Sequence, residues 1–174
     1  MIRTVFLLRH AKSSWDDPAL DDFDRPLNAR GLKAAPGIST HMAAQGWRPE
    51  AILCSTARRT RETLALVLPH LDTPPEPEFR DDLYLAEWTH LFAVLRELPD
   101  RHRSAMLVGH NPGLEQLATA LASVPIEGDD PLLGRLAEKF PTGALAVLAF
   151  EVARWRQLPA GAGALQAFIR PRDL

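Results

Sequence analysis

The sequence predicts an α/β fold: a single-domain three-layer sandwich with helices on both faces of a mostly parallel central sheet. Three observations carry that reading. Short apolar runs at residues 5–8, 51–54 and 105–108 do not alternate with polar residues, the habit of strands covered on both faces. Segments with apolar residues at helical spacing lie between them, and strand–helix alternation builds layered α/β sheets. The length, 174 residues, is that of one domain on a prior of roughly 150 residues each, so residues 1–174 are read as one domain.

Val5-Phe6-Leu7-Leu8 forms the first strand. Asn28 is placed to cap a helix running toward Gln45 and stopped by Gly46. Pro36 and Gly37 fall inside that stretch and are expected to kink or delay it. A second helix covers residues 58–68 and ends at Pro69. Leu91, Leu95 and Leu98 share one face of a helix over 88–98, closed by Pro99. Leu114, Leu117, Ala118 and Leu121 mark another over 114–122. Four prolines at 69, 74, 75 and 77 make residues 69–78 an extended surface connection. Residues 124–143 form a second loop, with a short helix near 132–139. Strands at 144–150 and 164–169, joined through Gly161-Ala162-Gly163, complete the sheet.

Composition narrows the function. Twenty Lys and Arg against 22 Asp and Glu leave a net charge of −2, which argues against general nucleic-acid binding but permits a local basic pocket. One cysteine, Cys54, supports neither a disulfide framework nor a thiolate metal site. No apolar run approaches the roughly 18 residues of a membrane span, and the N-terminus lacks a leader's apolar region. The expected protein is therefore soluble and cytoplasmic, with no membrane or nucleic-acid partner.

The residues just past each apolar run are polar and basic. The first run ends in Arg9-His10, the second in Ser55-Thr56-Ala57-Arg58-Arg59, the third in Gly109-His110. In a parallel sheet these ends share one edge, outside which ligands bind. Two histidines and two or three arginines, 49 to 101 positions apart, thus converge on one crevice. Such a pocket suits an anion, and the arginine fork matches phosphate oxygens.

The segment Leu7-Leu8-Arg9-His10-Ala11-Lys12-Ser13-Ser14-Trp15 resembles the signature of the histidine phosphatase superfamily, and more closely that of its small phosphohistidine phosphatase SixA subgroup. Asp24-Arg25-Pro26-Leu27-Asn28-Ala29-Arg30-Gly31 is similar to the subgroup's Arg-Pro-Leu…Arg-Gly element. Ser55 to Thr63 resembles the family's Ser-x-x-x-Arg-x-x-x-Thr pattern, which selects Arg59 over Arg58. Val108-Gly109-His110-Asn111-Pro112-Gly113 looks like the second-histidine motif, and Phe140-Pro141-Thr142-Gly143 recurs in the subgroup. The departure is Ala11, where most of the superfamily has glycine.

The resemblance implies a phosphoglycerate mutase-like fold without a lid subdomain, and a metal-independent phosphatase needing no cofactor. His10 is then the nucleophile that becomes phosphorylated, while Arg9, Arg59 and His110 hold the phosphoryl oxygens. A protonated His110 is the better donor, so its surroundings are expected to favour the cation. Ser13 or Ser14 adds a hydroxyl, Arg25 contacts substrate, and Trp15 borders the pocket. For the general acid the order is Asp82, then Asp81, then Glu87. Only 22 positions separate Arg59 from Asp81, too few for a lid, and an open pocket suits phosphohistidine on a carrier or phosphotransfer protein. The alternatives are a phosphatase of a small phosphomonoester and a non-catalytic phosphate-binding module. His41, His70, His90 and His102 have no partner at metal-ligand spacing, and Arg154, Arg156, Arg170 and Arg172 read as a solvated edge.

Overall fold

A computed structural model describes residues 1–174. The chain runs β1 (Ile2–Arg9), α1 (Ala29–Ala44), β2 (Ala51–Ser55), α2 (Arg58–Val67), β3 (Glu78–Arg80), α3 (Trp88–Arg96), β4 (Ser104–Gly109), α4 (Gly113–Leu121), α5 (Pro131–Glu138), β5 (Leu145–Glu151) and β6 (Ala164–Ile169). The six strands form one sheet in the order β3-β2-β4-β1-β5-β6. β3, β2, β4 and β1 are parallel to one another, and β5 pairs antiparallel with both β1 and β6. This is the expected mostly parallel sandwich, and only α2, β3, two 3₁₀ turns and α3 lie between β2 and β4.

Strand alternation sorts the core into two layers. Val5 and Leu7 of β1 pack with Leu91, Leu95, Leu114, Leu117, Leu121 and Leu136 from α3, α4 and α5. Phe6 and Leu8 face the other way, onto Ile38 and Met42 of α1 and Leu64 and Val67 of α2. The apolar runs lack alternation because both faces of these strands are covered.

Two expectations are corrected. α1 runs unbroken through Pro36 from its Asn28 cap, whose side chain accepts from the Gly31 N–H. The Pro36 carbonyl accepts from the Ser39 and Thr40 hydroxyls, and Ile38 and Met42 anchor both turns after the proline in the core, so packing overrides the local break. Residues 69–78 are not loop to their end: β3 adds three residues to the sheet edge beside β2.

Candidate active site

Register builds the site. Parallel pairing sets Arg9 opposite Gly109, and the His10 N–H donates to the Gly109 carbonyl at 3.1 Å. The residue after each strand therefore stands beside its counterpart: the His10 and His110 rings lie 5.4 Å apart, centre to centre. β2, on the far side of β4, ends at Ser55, whose hydroxyl lies 2.8 Å from His110 Nε2. Arg59 enters from the first turn of α2. With Arg9, Lys12, Ser13, Trp15, Asp22, Arg25, Leu85, Asn111 and Thr142, the two histidines and Arg59 line a cavity of about 280 Å³.

His10 Nδ1 is 2.7 Å from the Ala11 carbonyl. A carbonyl only accepts, so Nδ1 carries the hydrogen and Nε2 keeps its lone pair. Burial pushes the His10 pKa from 6.5 to about 3, and the charges of Arg59, Arg9 and Arg25 add to it against the Ala11 hydrogen bond. The imidazole is neutral at ordinary pH, as a nucleophile requires. His110 departs from expectation. Burial, then His10 and Arg59, push it to about 3 as well, outweighing the pull of Asp22. The basic ring around it disfavours the expected cation, and the charge of a bound oxyanion acts the other way. Ser55 Oγ accepts the Ala57 N–H at 3.3 Å, which leaves its own hydrogen to donate to His110 Nε2. The His110 proton then sits on Nδ1, a buried nitrogen with no protein partner.

The arginines are braced by backbone. Arg59, 3% exposed, donates to the Asp22 carbonyl at 2.7 Å and to its carboxylate at 3.0 Å. Arg9 donates to the Phe140 carbonyl at 3.0 Å, which also takes Asn111 Nδ2 at 2.9 Å. Arg25 donates to the Ser13 hydroxyl and lies 3.3 Å above the Trp15 ring. Burial lowers the pKa of Arg9 and of Arg25, with Arg59 adding to both, so the pocket gathers like charges that an anion relieves. Arg58 is instead exposed and paired with Glu62.

The motif residues acquire physical reasons. Thr63 accepts the Ala11 N–H at 2.9 Å and donates to the Arg59 carbonyl at 2.7 Å, tying the loop after β1 to α2. The Gly143 N–H donates to the His10 carbonyl at 2.8 Å. Gly31 lets α1 approach that same loop, since a Cβ there would lie 2.2 Å from the Lys12 carbonyl oxygen. Gly113 does the same for α4, where a Cβ would lie 2.0 Å from the Ala86 carbonyl oxygen.

Ser13, Trp15 and Arg25 line the cavity where expected; Ser14 does not and instead accepts the Asp16 N–H. The proposed acids are corrected. Asp82 is held by Arg80 at 2.7 Å and by His90 at 2.9 Å. The Arg80 hydrogen bond, opposed by desolvation and aided by His90, lowers its pKa to about 2. Asp81 accepts from Thr56, and Glu87 is the residue before α3. None of the three lines the cavity.

The carboxylate that does is Asp22, which sequence reasoning missed among Asp16, Asp17, Asp21 and Asp24. It also accepts from the Tyr84 hydroxyl at 2.5 Å, and the Tyr84 ring meets the His110 ring edge-on at 5.4 Å. Burial opposes ionisation of Asp22, but the hydrogen bonds from Tyr84 and Arg59 and the charges of Arg59 and Arg25 outweigh it, so its pKa is lowered. Leu85, also missed, lines the cavity with a left-handed backbone at φ 49°, a conformation uncommon for a bulky residue. No group of three or more His, Cys, Asp or Glu is placed to hold a metal ion. No helix is long and apolar enough to cross a membrane.

The family model of the histidine phosphatase superfamily (branch 1) matches residues 5–106. An uncharacterized protein of Mycobacterium tuberculosis, Rv1276c, is 36% identical over 166 residues, 95% of this chain and 100% of that one. Two solved structures assigned as phosphohistidine phosphatase SixA superpose closely. The one from Nakamurella multipartitia has a TM-score of 0.84 and 27% identity over 98% of this chain and 97% of that one. The one from Agrobacterium tumefaciens has a TM-score of 0.80 and 33% identity over 97% and 98%. The chain thus belongs to the histidine phosphatase superfamily and is a hydrolase of the histidine-phosphatase type.

Proposed function

We propose that the protein hydrolyses phosphohistidine on another protein through a phosphorylated His10. The observation that carries the chemistry is the neutral His10, its Nδ1 held by the Ala11 carbonyl and its Nε2 free among Arg9, Arg59 and His110. In the first displacement Nε2 forms a bond to phosphorus as the bond to the leaving nitrogen breaks. The departing imidazole, already protonated by solvent at its other ring nitrogen, keeps the electron pair of the broken bond and leaves neutral. Arg9, Arg59 and the His110 Nδ1–H stabilise the three equatorial oxygens. In the second displacement water attacks phosphorus, His10 leaves with its electron pair, and phosphate is released.

The state of Asp22 favours a nitrogen leaving group. Its carboxylate is the one acidic side chain lining the cavity, and Tyr84, Arg59 and Arg25 hold it ionised, so it is a poor proton donor. Phosphoimidazole, once protonated by solvent, departs without a strong acid, whereas an alkoxide leaving group requires one. The similarity to the two SixA-assigned structures supports the same substrate class, as does the absence of any insert between β2 and β4 large enough to cover the pocket.

The test is to trap the enzyme with labelled substrate. The reading expects a label on His10 that is lost in acid and kept in base, absent from His10→Ala, and faster turnover of a phosphohistidine protein than of small phosphate esters. Faster turnover of an ester of an alcohol overturns the substrate class. Unaltered turnover by His10→Ala overturns the mechanism. Activity is expected to persist in a chelator.

A further inference from the structure

A second cavity, about 580 Å³, opens beside the catalytic pocket and shares Lys12 and Thr142 with it. Four parts of the chain far apart in sequence build it: the loop after β1, the first turns of α1, the end of α5 with Pro141–Gly143, and the C-terminal tail. Its lining carries six cations, Lys12, Arg30, Arg135, Lys139, Arg170 and Arg172, against one carboxylate, Glu138. Arg170 is paired with Asp173 at 2.8 Å. The side chains of Lys12, Arg30, Lys139 and Arg172 make no hydrogen bond or ion pair within the protein, and Arg135 Nε is buried without a partner. On a chain of net charge −2 this is a marked local excess of positive charge. The tail arginines that read as a solvated edge in the sequence are part of it.

We propose that this basic groove binds acidic side chains of the phosphoprotein substrate, on the stretch of chain next to the phosphorylated residue. The inference rests on the reading of the substrate as a phosphoprotein and adds which phosphoproteins are preferred. Two features choose the ligand. No aromatic residue lines the groove, so it offers no stacking surface to a nucleobase. It is also continuous with the catalytic pocket at Lys12 and Thr142, so a chain whose phosphoryl group reaches His10 passes directly into it. The loop that joins the cavities is fixed: Gly143 donates to the His10 carbonyl and, at φ 77°, packs against Pro171. Charge across such a contact acts mainly on encounter and selection among partners.

Arg30, Lys139 and Arg172 lie outside the catalytic pocket and are exposed, so the triple variant Arg30→Gln, Lys139→Gln, Arg172→Gln is expected to fold and to hydrolyse p-nitrophenyl phosphate as the parent does. Fluorescent unphosphorylated peptides of equal length, one rich in Glu and Asp and one neutral, are titrated by anisotropy. The acidic peptide is expected to bind about tenfold more tightly, with the difference lost in the triple variant and in high salt. With phosphohistidine peptides carrying the same flanks, the variant should raise KM for the acidic one about tenfold and leave kcat unchanged. Equal binding of the two peptides, or a preference that survives the triple variant, overturns the proposal. So does a short single-stranded DNA that displaces the acidic peptide at lower concentration than unlabelled acidic peptide does. Acidic-peptide binding without phosphohistidine turnover defeats the substrate reading and not the groove. Phosphohistidine turnover indifferent to flanking charge does the reverse.

Discussion

β1 carries a buried or half-buried arginine toward each end, and the two are used in opposite ways. Arg3, 1% exposed, donates from one terminal nitrogen to the carbonyls of His102 and Asp100, at 2.7 and 3.2 Å, and from the other to that of Ala153 at 2.6 Å. The Asp100 carboxylate lies 3.6 Å away and the Trp155 ring 5.3 Å away. Both terminal nitrogens are taken by the protein, only Nε being without a partner, and it bolts the start of the sheet to the segments that frame it. Arg9 makes one hydrogen bond, to Phe140, and shares a cavity with two more arginines, Arg25 and Arg59, and two histidines. A buried cation whose terminal nitrogens are both engaged is structure; one with a terminal nitrogen left over among like charges is held ready for an anion.

The sharpest way to break that comparison is to exchange each arginine for methionine. Arg9→Met is expected to lower kcat/KM about a thousandfold, the scale on which one arginine stabilises a phosphoryl transition state, and to leave the urea midpoint unchanged or raised. Arg3→Met is expected to do the opposite. It leaves three carbonyls without their donor and should cost about 3 kcal/mol of unfolding free energy, with kcat of the folded fraction unchanged. A stability loss at Arg9 equal to that at Arg3 would erase the distinction.

Acid sharpens it next. His10 and His110 sit at about 3 in the fold against 6.5 ordinarily. The unfolded chain therefore binds more protons between those values, and stability falls as pH drops from about 6.5 toward 3. Asp82 and Asp173, lowered from 3.8 to about 2, lose their contribution further down, as pH falls from about 4 toward 2. Urea unfolding at pH 7 and pH 4.5 is expected to differ by roughly 2–3 kcal/mol per histidine, and His10→Asn should flatten the slope. Saturating phosphate should reduce the loss in the parent protein and not in Arg9→Met. A parent protein equally stable at both pH values contradicts the neutral imidazoles.

The same contrast explains which residues are legible in the sequence. Arg9, His10, Arg59 and His110 end or adjoin apolar runs whose parallel register dictates where they meet, so strand ends alone bring them together, and the choice of Arg59 comes from a resemblance in spacing to Thr63. The rest depends on loops. Asp22 is one of five aspartates between Asp16 and Asp24, and only the path of that loop past Arg59 and Tyr84 singles it out. Asp82 has the sequence position of an acid after the third strand, yet Arg80 and His90 hold it outside the cavity. β3 itself is a three-residue edge with Phe79 half exposed, too short to show a period. The state of His110 reverses the expectation because the motif names its neighbours but not how deeply they are buried.

The smallest expected effect concerns Asp22. A dedicated general acid, when removed, costs roughly a hundredfold or more and takes the basic limb of the kcat profile with it. In this site Asp22 instead holds Arg59 through carbonyl and carboxylate and accepts from Tyr84. Asp22→Asn keeps an oxygen for Tyr84 and leaves the backbone carbonyl to Arg59. It is therefore expected to change kcat on phosphohistidine less than tenfold, with the basic limb in place, and Tyr84→Phe less still. Removing a negative charge from the ring of cations should also tighten phosphate binding, lowering its inhibition constant a few-fold. A hundredfold loss of kcat in Asp22→Asn, together with a vanished basic limb, would make Asp22 the proton donor and return an alcohol ester to the front as substrate.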